Sequence, residues 1–118
     1  MAAPDRREDD MVTPLPRVQV PETVRKGDVF QVKAIIRHRM ETGLRHDGEG
    51  KVIPRKIISK FICRYNRVEV FVVDLHEAVA ANPYFEFYLL ATESGRLDFV
   101  WQEDGGAGYF LACQLTVT

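Results

Sequence analysis

Apolar and polar residues alternate with a period of two through most of this chain. From Val29 to Arg37, Phe30, Val32, Ala34 and Ile36 share one side while Gln31, Lys33, Ile35 and Arg37 share the other, the pattern of a half-buried strand. Ile57 to Tyr65 repeats it, with Phe61, Cys63 and Tyr65 opposite Lys60, Ile62 and Arg64. Only Asn66-Arg67 separates that run from Val68 to Val72. Two residues between apolar runs predict a tight hairpin, although its second position favours glycine because it requires φ > 0. Further along, Tyr84 to Leu90, Leu97 to Trp101 and Tyr109 to Val117 turn Phe85, Phe87, Leu89, Leu97, Phe99, Trp101, Leu111, Cys113, Leu115 and Val117 to the inside. Ser94-Gly95 and the run Asp104 to Gly108 mark turns between them. Near the start, Arg17 to Val20 is a short strand closed by Pro21, which suits an edge, and Thr23 to Asp28 reads as a turn. Asp74 to Asn82 is an irregular connection or at most one helical turn.

About seven short strands with no convincing helix predict an all-β chain, an immunoglobulin-like antiparallel β-sandwich. The 118 residues suffice for one such core without metal or disulfide support. Residues 1–16 are polar and proline-bearing and are expected to form a flexible tail, leaving residues 17–118 as the domain.

One connection breaks the rhythm. Between Arg37 and Ser59 the chain runs RHRMETGLRHDGEGKVIPRKIIS, far longer than the two to six residues or so that usually join strands. Met40, Leu44, Val52, Ile53 and Ile57 recur through it, Pro54 stiffens its exit, and Gly43, Gly48 and Gly50 permit reversals. A loop that carries its own apolar side chains can present a defined surface.

Charge narrows the partners. Sixteen basic and 17 acidic groups leave a net charge of −1, so the basic footprint of nucleic-acid binding is missing and no nucleic acid is expected. Arg6 and Arg7 are followed by acids and not by the apolar run an export signal needs, and no stretch approaches the ~20 apolar residues of a membrane span. The chain therefore reads as soluble, with no signal of its own and no membrane partner.

Candidate chemistry is sparse. Cys63 and Cys113 are too far apart in sequence for a C-x-x-C pair and both fall on core faces, as two buried thiols or a disulfide. His38, His46 and His76 share no ligand spacing, and His46-Asp47 with Glu49 lacks a second histidine or a thiolate, so no metal or other cofactor is assigned. No serine sits in a nucleophile elbow and no glycine loop precedes a helix, so no catalytic residue is assigned. What remains is apolar surface in excess of one core: Ile35, Ile62, Val100, Tyr84, Tyr88 and Leu90 are expected to face water. Beside the long loop, that excess points to a protein-binding surface and a non-enzymatic role. The alternatives are a sulfur-handling enzyme using Cys63 as nucleophile, and a generic sandwich binding a ligand in its loops.

The sequence resembles the SoxZ family, the smaller subunits of the SoxYZ sulfur-carrier complex of bacterial thiosulfate oxidation. The residues that carry the resemblance are His38 with Met40-Glu41-Thr42-Gly43, Arg45 and Asp47, Gly50, Ile53-Pro54-Arg55 with Ile57-Ile58, Phe61 with Cys63, Asn82-Pro83-Tyr84, and Phe99 with Trp101. They span about Arg17 to Val117. Two departures stand out: Arg39, where the family often has proline or lysine, and Arg67, where it usually has glycine. The resemblance implies an immunoglobulin-like sandwich in a heterodimer with SoxY, which extends to transient contact with other Sox enzymes, and a periplasmic location reached by co-export with a signal-bearing partner. It further implies that the sulfur substrate rides on a cysteine in a glycine-flanked arm at SoxY's C-terminus. Residues 114–118 here hold no such cysteine, so the carrier role is not transferred to Cys63 or Cys113. Met40, Glu41, Arg45, Ile53, Pro54, Arg55 and Tyr84 are the expected partner contacts, with Arg45 and Arg55 available to an anionic thiosulfonate.

Overall fold

In the computed structural model, residues 15–37, 43–53, 55–76 and 83–118 are described. Eight strands follow one another: β1 (Leu15–Gln19), β2 (Thr23–Val24), β3 (Val29–Arg37), β4 (Ile58–Tyr65), β5 (Val68–Asp74), β6 (Tyr84–Leu90), β7 (Gly95–Glu103) and β8 (Gly108–Val117). They form a three-stranded sheet, β1-β3-β6, and a five-stranded sheet, β2-β8-β7-β4-β5. The fold is the expected all-β sandwich.

The core is the sum of the inward faces read from alternation. Phe30, Val32, Ala34, Ile36, Phe87 and Leu89 from one sheet meet Phe61, Cys63, Tyr65, Leu97, Phe99, Trp101 and Leu115 from the other. Trp101 is fully buried, and its indole N–H finds no acceptor among the described residues, so the ring serves to fill volume. The phenol of Tyr65 has a polar task that hydropathy does not reveal. Its hydroxyl donates to the Glu93 carbonyl at 2.6 Å and accepts from the Thr92 and Glu93 N–H groups at 3.2 Å, tying the β6–β7 corner to β4.

Three expectations need correction. Thr23 and Val24 are not merely turn residues: they form β2, which pairs parallel with Thr116 and Val117 of β8. The chain thus leaves β1 in one sheet and immediately joins the other, a switch that depends on the distant C-terminal strand. Leu15 and Pro16, assigned to the tail, already pair with Arg37 and Ile36 in β1; a proline is tolerated there because β1 is an edge strand. Ile62 and Val100 lie on the outer face, yet they are only 4% and 7% exposed. Both sit in inner strands between Val72 and Phe110, in one cross-strand row, with a neighbouring strand on either side. Of the connection read as irregular or at most one helical turn, Asp74 ends β5 and Leu75 and His76 take no regular structure; residues 77–82 lie outside the described residues.

The β4–β5 hairpin closes through Asn66 and Arg67 with φ of 49° and 74°, so arginine does occupy a left-handed position that costs an L-residue roughly 1–2 kcal/mol. Arg67→Gly is expected to stabilise the domain by about 1 kcal/mol, read as a rise in the urea midpoint at unchanged slope. An unchanged or lower midpoint would show that the arginine side chain compensates its backbone.

Candidate functional site

The long connection is built as an arm. Residues 45–53 form a β-hairpin: Ile53 N–H donates to the Arg45 carbonyl at 2.8 Å, Asp47 N–H to the Lys51 carbonyl at 2.8 Å, and His46 bridges Val52. At its tip the Asp47 side chain accepts from the N–H groups of Glu49 (2.8 Å) and Lys51 (3.0 Å). The carboxylate considered as a metal ligand is therefore occupied in shaping a turn. At the root, Arg55 makes a two-pronged contact with Asp104, both at 2.8 Å, while Ile57 N–H donates to the same carboxylate at 3.2 Å and Asp104 N–H to the Ile57 carbonyl at 2.9 Å. The Arg55 guanidinium holds the Asp104 carboxyl below its usual range. Gly43 lies close against Arg55: a Cβ there would stand 3.2 Å from the Arg55 Cβ, and its φ of +89° suits glycine.

This arm carries apolar side chains that no core receives. Leu44 is 80% and Val52 56% exposed. With His46 they share one side by alternation, while Arg45 and Ile53 share the other. The arm leaves β3, in the three-stranded sheet, and enters β4, in the five-stranded one. Tyr84 begins β6 at the same end of the sandwich, opposite Ile35. Among the expected contacts, Arg45 and Ile53 pair across the hairpin, Arg55 fixes its root and Tyr84 stands on β6; Met40, Glu41 and Pro54 lie outside the described residues.

The two outer faces differ in chemistry. On the five-stranded sheet, Val72, Ile62, Val100 and Phe110 form a row across β5, β4, β7 and β8. Phe110 is 70% exposed and projects between Gly108 and Ala112. The flanking charges neutralise one another: Lys60 with Asp74 at 3.7 Å, Arg64 with Glu69 at 3.5 Å, and Arg96 with Asp98 at 2.7 Å. On the three-stranded sheet, Tyr84, Tyr88, Leu90 and Val29 are exposed.

Burial disfavours the thiolate at both cysteines. Both are free thiols. Cys63 pairs with Phe99 and Cys113 with Leu97, so β7 runs between them and holds them apart. Burial first, and then the nearby Cys113 and Asp98, push the Cys63 thiol up to about 12. A thiolate, the nucleophilic form, is therefore scarce near neutral pH. Arg64 points to the opposite face, where it meets Glu69. The Cys113 thiol is also raised, chiefly by burial. Among the described residues no group of three histidine, cysteine or acidic side chains is placed to hold a metal, and no helix is long and apolar enough to cross a membrane.

The family model described as "Sulphur oxidation protein SoxZ" matches residues 18–109. No curated protein matches the chain in sequence. Among solved structures, a single-residue variant of superoxide reductase (neelaredoxin) from Ignicoccus hospitalis is similar with a TM-score of 0.68 at 16% identity, covering 95% of this chain and 87% of that one. A second structure of superoxide reductase (neelaredoxin) from Ignicoccus hospitalis gives a TM-score of 0.62 at 17% identity, over 87% and 80%. At that identity the likeness concerns the sandwich fold alone.

Proposed function

Because the chain belongs to the SoxZ family, we propose that it is the non-catalytic subunit of a SoxYZ carrier pair in thiosulfate oxidation, which holds SoxY and helps form the surroundings of its C-terminal carrier cysteine. The observation that carries this reading is the stapled hairpin, which projects Leu44 and Val52 into solvent from a root fixed by Arg55 and Asp104. An apolar side chain held outside any core gains free energy only when another surface covers it. The row ending in Phe110 adds a second apolar surface whose neighbouring charges are already paired, so covering it strands no lone ion. On this reading the sulfur chemistry resides in the partner's arm, and this chain supplies a wall for it. Arg55 fixes the hairpin, Arg45 adds positive charge for an anionic thiosulfonate, and Ile53 contributes contact area. The pair works in the periplasm, exported on the partner's signal.

The reading is tested by co-expression with SoxY and size-exclusion chromatography. Leu44→Asp with Val52→Asp is expected to weaken the pair about tenfold or more while leaving the melting temperature of the isolated chain unchanged, since neither side chain belongs to the core. Undiminished co-elution of the double variant would remove the hairpin from the interface. Failure of the wild-type chain to co-elute would remove the reading itself.

A further inference from the structure

We propose that the outer face of the three-stranded sheet is a docking surface for an acidic protein with which the assembled pair associates transiently, apart from the apolar surfaces assigned to SoxY. The proposal rests on the carrier-pair reading only in taking the pair as the docking unit.

The register aligns the face in rows: Arg17, Ile35 and Tyr84; Gln19, Lys33 and Glu86; Gln31 and Tyr88; Val29 and Leu90; with Arg37 beyond Ile35 on β3. Its tyrosines are exposed but not loose. Tyr84 donates its hydroxyl hydrogen to Glu86 Oε1 at 2.9 Å, and Gln31 Nε2 donates to the Tyr88 hydroxyl at 3.0 Å and also to Glu86 Oε2. Tyr88 is 61% exposed. Rings held in place before binding lose little freedom when a partner arrives, which is why oriented tyrosines serve as interface anchors.

Charge identifies the occupant. Arg17, Lys33 and Arg37 make no ion pair among the described residues. Against these three positive groups the face offers, among the described residues, one carboxylate, Glu86, a local surplus of two positive charges on a chain whose net charge is −1. A second copy of this face would be repelled. A partner surface bearing carboxylates would be attracted, and these cations would steer its approach. The opposite outer face, with its charges paired, has no such field to offer.

The test uses the purified SoxYZ pair in reconstituted thiosulfate oxidation at sub-saturating pair concentration. For the wild type, the rate is expected to fall about tenfold between about 0.05 and 0.5 M sodium chloride. Lys33→Glu with Arg37→Glu should start about tenfold slower at low salt, lose the salt dependence, and recover the wild-type rate at saturating pair, with co-elution with SoxY intact. Tyr88→Ala should slow the sub-saturating rate at every salt concentration. Equal rates for wild type and the charge reversal at low salt would overturn the proposal. Loss of SoxY on charge reversal would also overturn it, by giving this face to SoxY, and would leave the carrier-pair reading standing. Binding of the pair to phosphatidylglycerol vesicles that the same reversal abolishes would overturn the choice of a protein partner.

Discussion

Phe61→Ala is expected to cost about 4 kcal/mol of stability and to lower the melting temperature by roughly 15–25 °C. Phe61 is fully buried and stands at the centre of the aromatic cluster that joins the sheets. Its ring stacks on Phe85 of the other sheet at 4.7 Å and lies 6.2 Å from Phe87. Within its own sheet it meets Trp101 at 5.2 Å, Phe71 at 6.1 Å and Phe99 at 6.4 Å. Deleting it removes the transfer free energy of one ring, leaves a cavity that its rigid aromatic neighbours cannot collapse to fill, and ends several aromatic contacts at once. For a domain with on the order of 5–15 kcal/mol in total, that is a large share. Phe61→Leu, which keeps most of the volume, should cost far less, about 1.5 kcal/mol. Thermal unfolding followed by circular dichroism separates the two; a loss under about 1 kcal/mol for the alanine variant would mean that the cluster does not hold the sheets together.

The second large effect concerns a glycine at the start of β7. A Cβ on Gly95 would stand 1.7 Å from Asn66 Oδ1 and 2.4 Å from its Cγ. The amide must move, and it has bonds to lose: Oδ1 accepts the Arg96 N–H at 3.0 Å while Nδ2 donates to Glu93 Oε1 at 3.4 Å and to the Ser94 carbonyl at 3.5 Å. Gly95→Ala is therefore expected to cost about 2–3 kcal/mol, through the lost hydrogen bonds and the displaced turn. A double-mutant cycle isolates the cause. In an Asn66→Gly background the obstructing amide is gone, so Gly95→Ala should cost under about 1 kcal/mol. The full penalty persisting there would place the clash in the backbone and not in the Asn66 side chain.

Phe61 was legible from sequence as a core residue, because alternation places it with Cys63 and Tyr65. Gly95 was legible only as a turn residue, since the atom that forbids a larger side chain comes from Asn66, on a turn between two other strands. The candidate site divides in the same way. The length, glycines and recurring apolar residues of the 37–59 connection announced an arm with a surface of its own. The Arg55–Asp104 clamp that fixes its root joins residues far apart in the chain, and nothing local to either residue points to the other. The cationic surplus of the three-stranded sheet among the described residues was equally hidden, because a charge reads the same in sequence whether its neighbour neutralises it or not.

From residues alone came every strand but β2, the inward side of each, most of the turns between them, part of the surplus of apolar surface and the family to which the chain belongs. These follow from a two-residue period and from local backbone chemistry, which need no knowledge of the neighbouring strand. Tertiary structure alone decided the order of strands. That order sets Ile62 and Val100 in covered inner strands while Tyr88 lies open on β6 at a sheet edge, switches β2 to the second sheet, and interposes β7 between the two thiols. Burial and charge pairing are properties of side chains brought together from distant segments, so they exist only once the pairing of those segments is set.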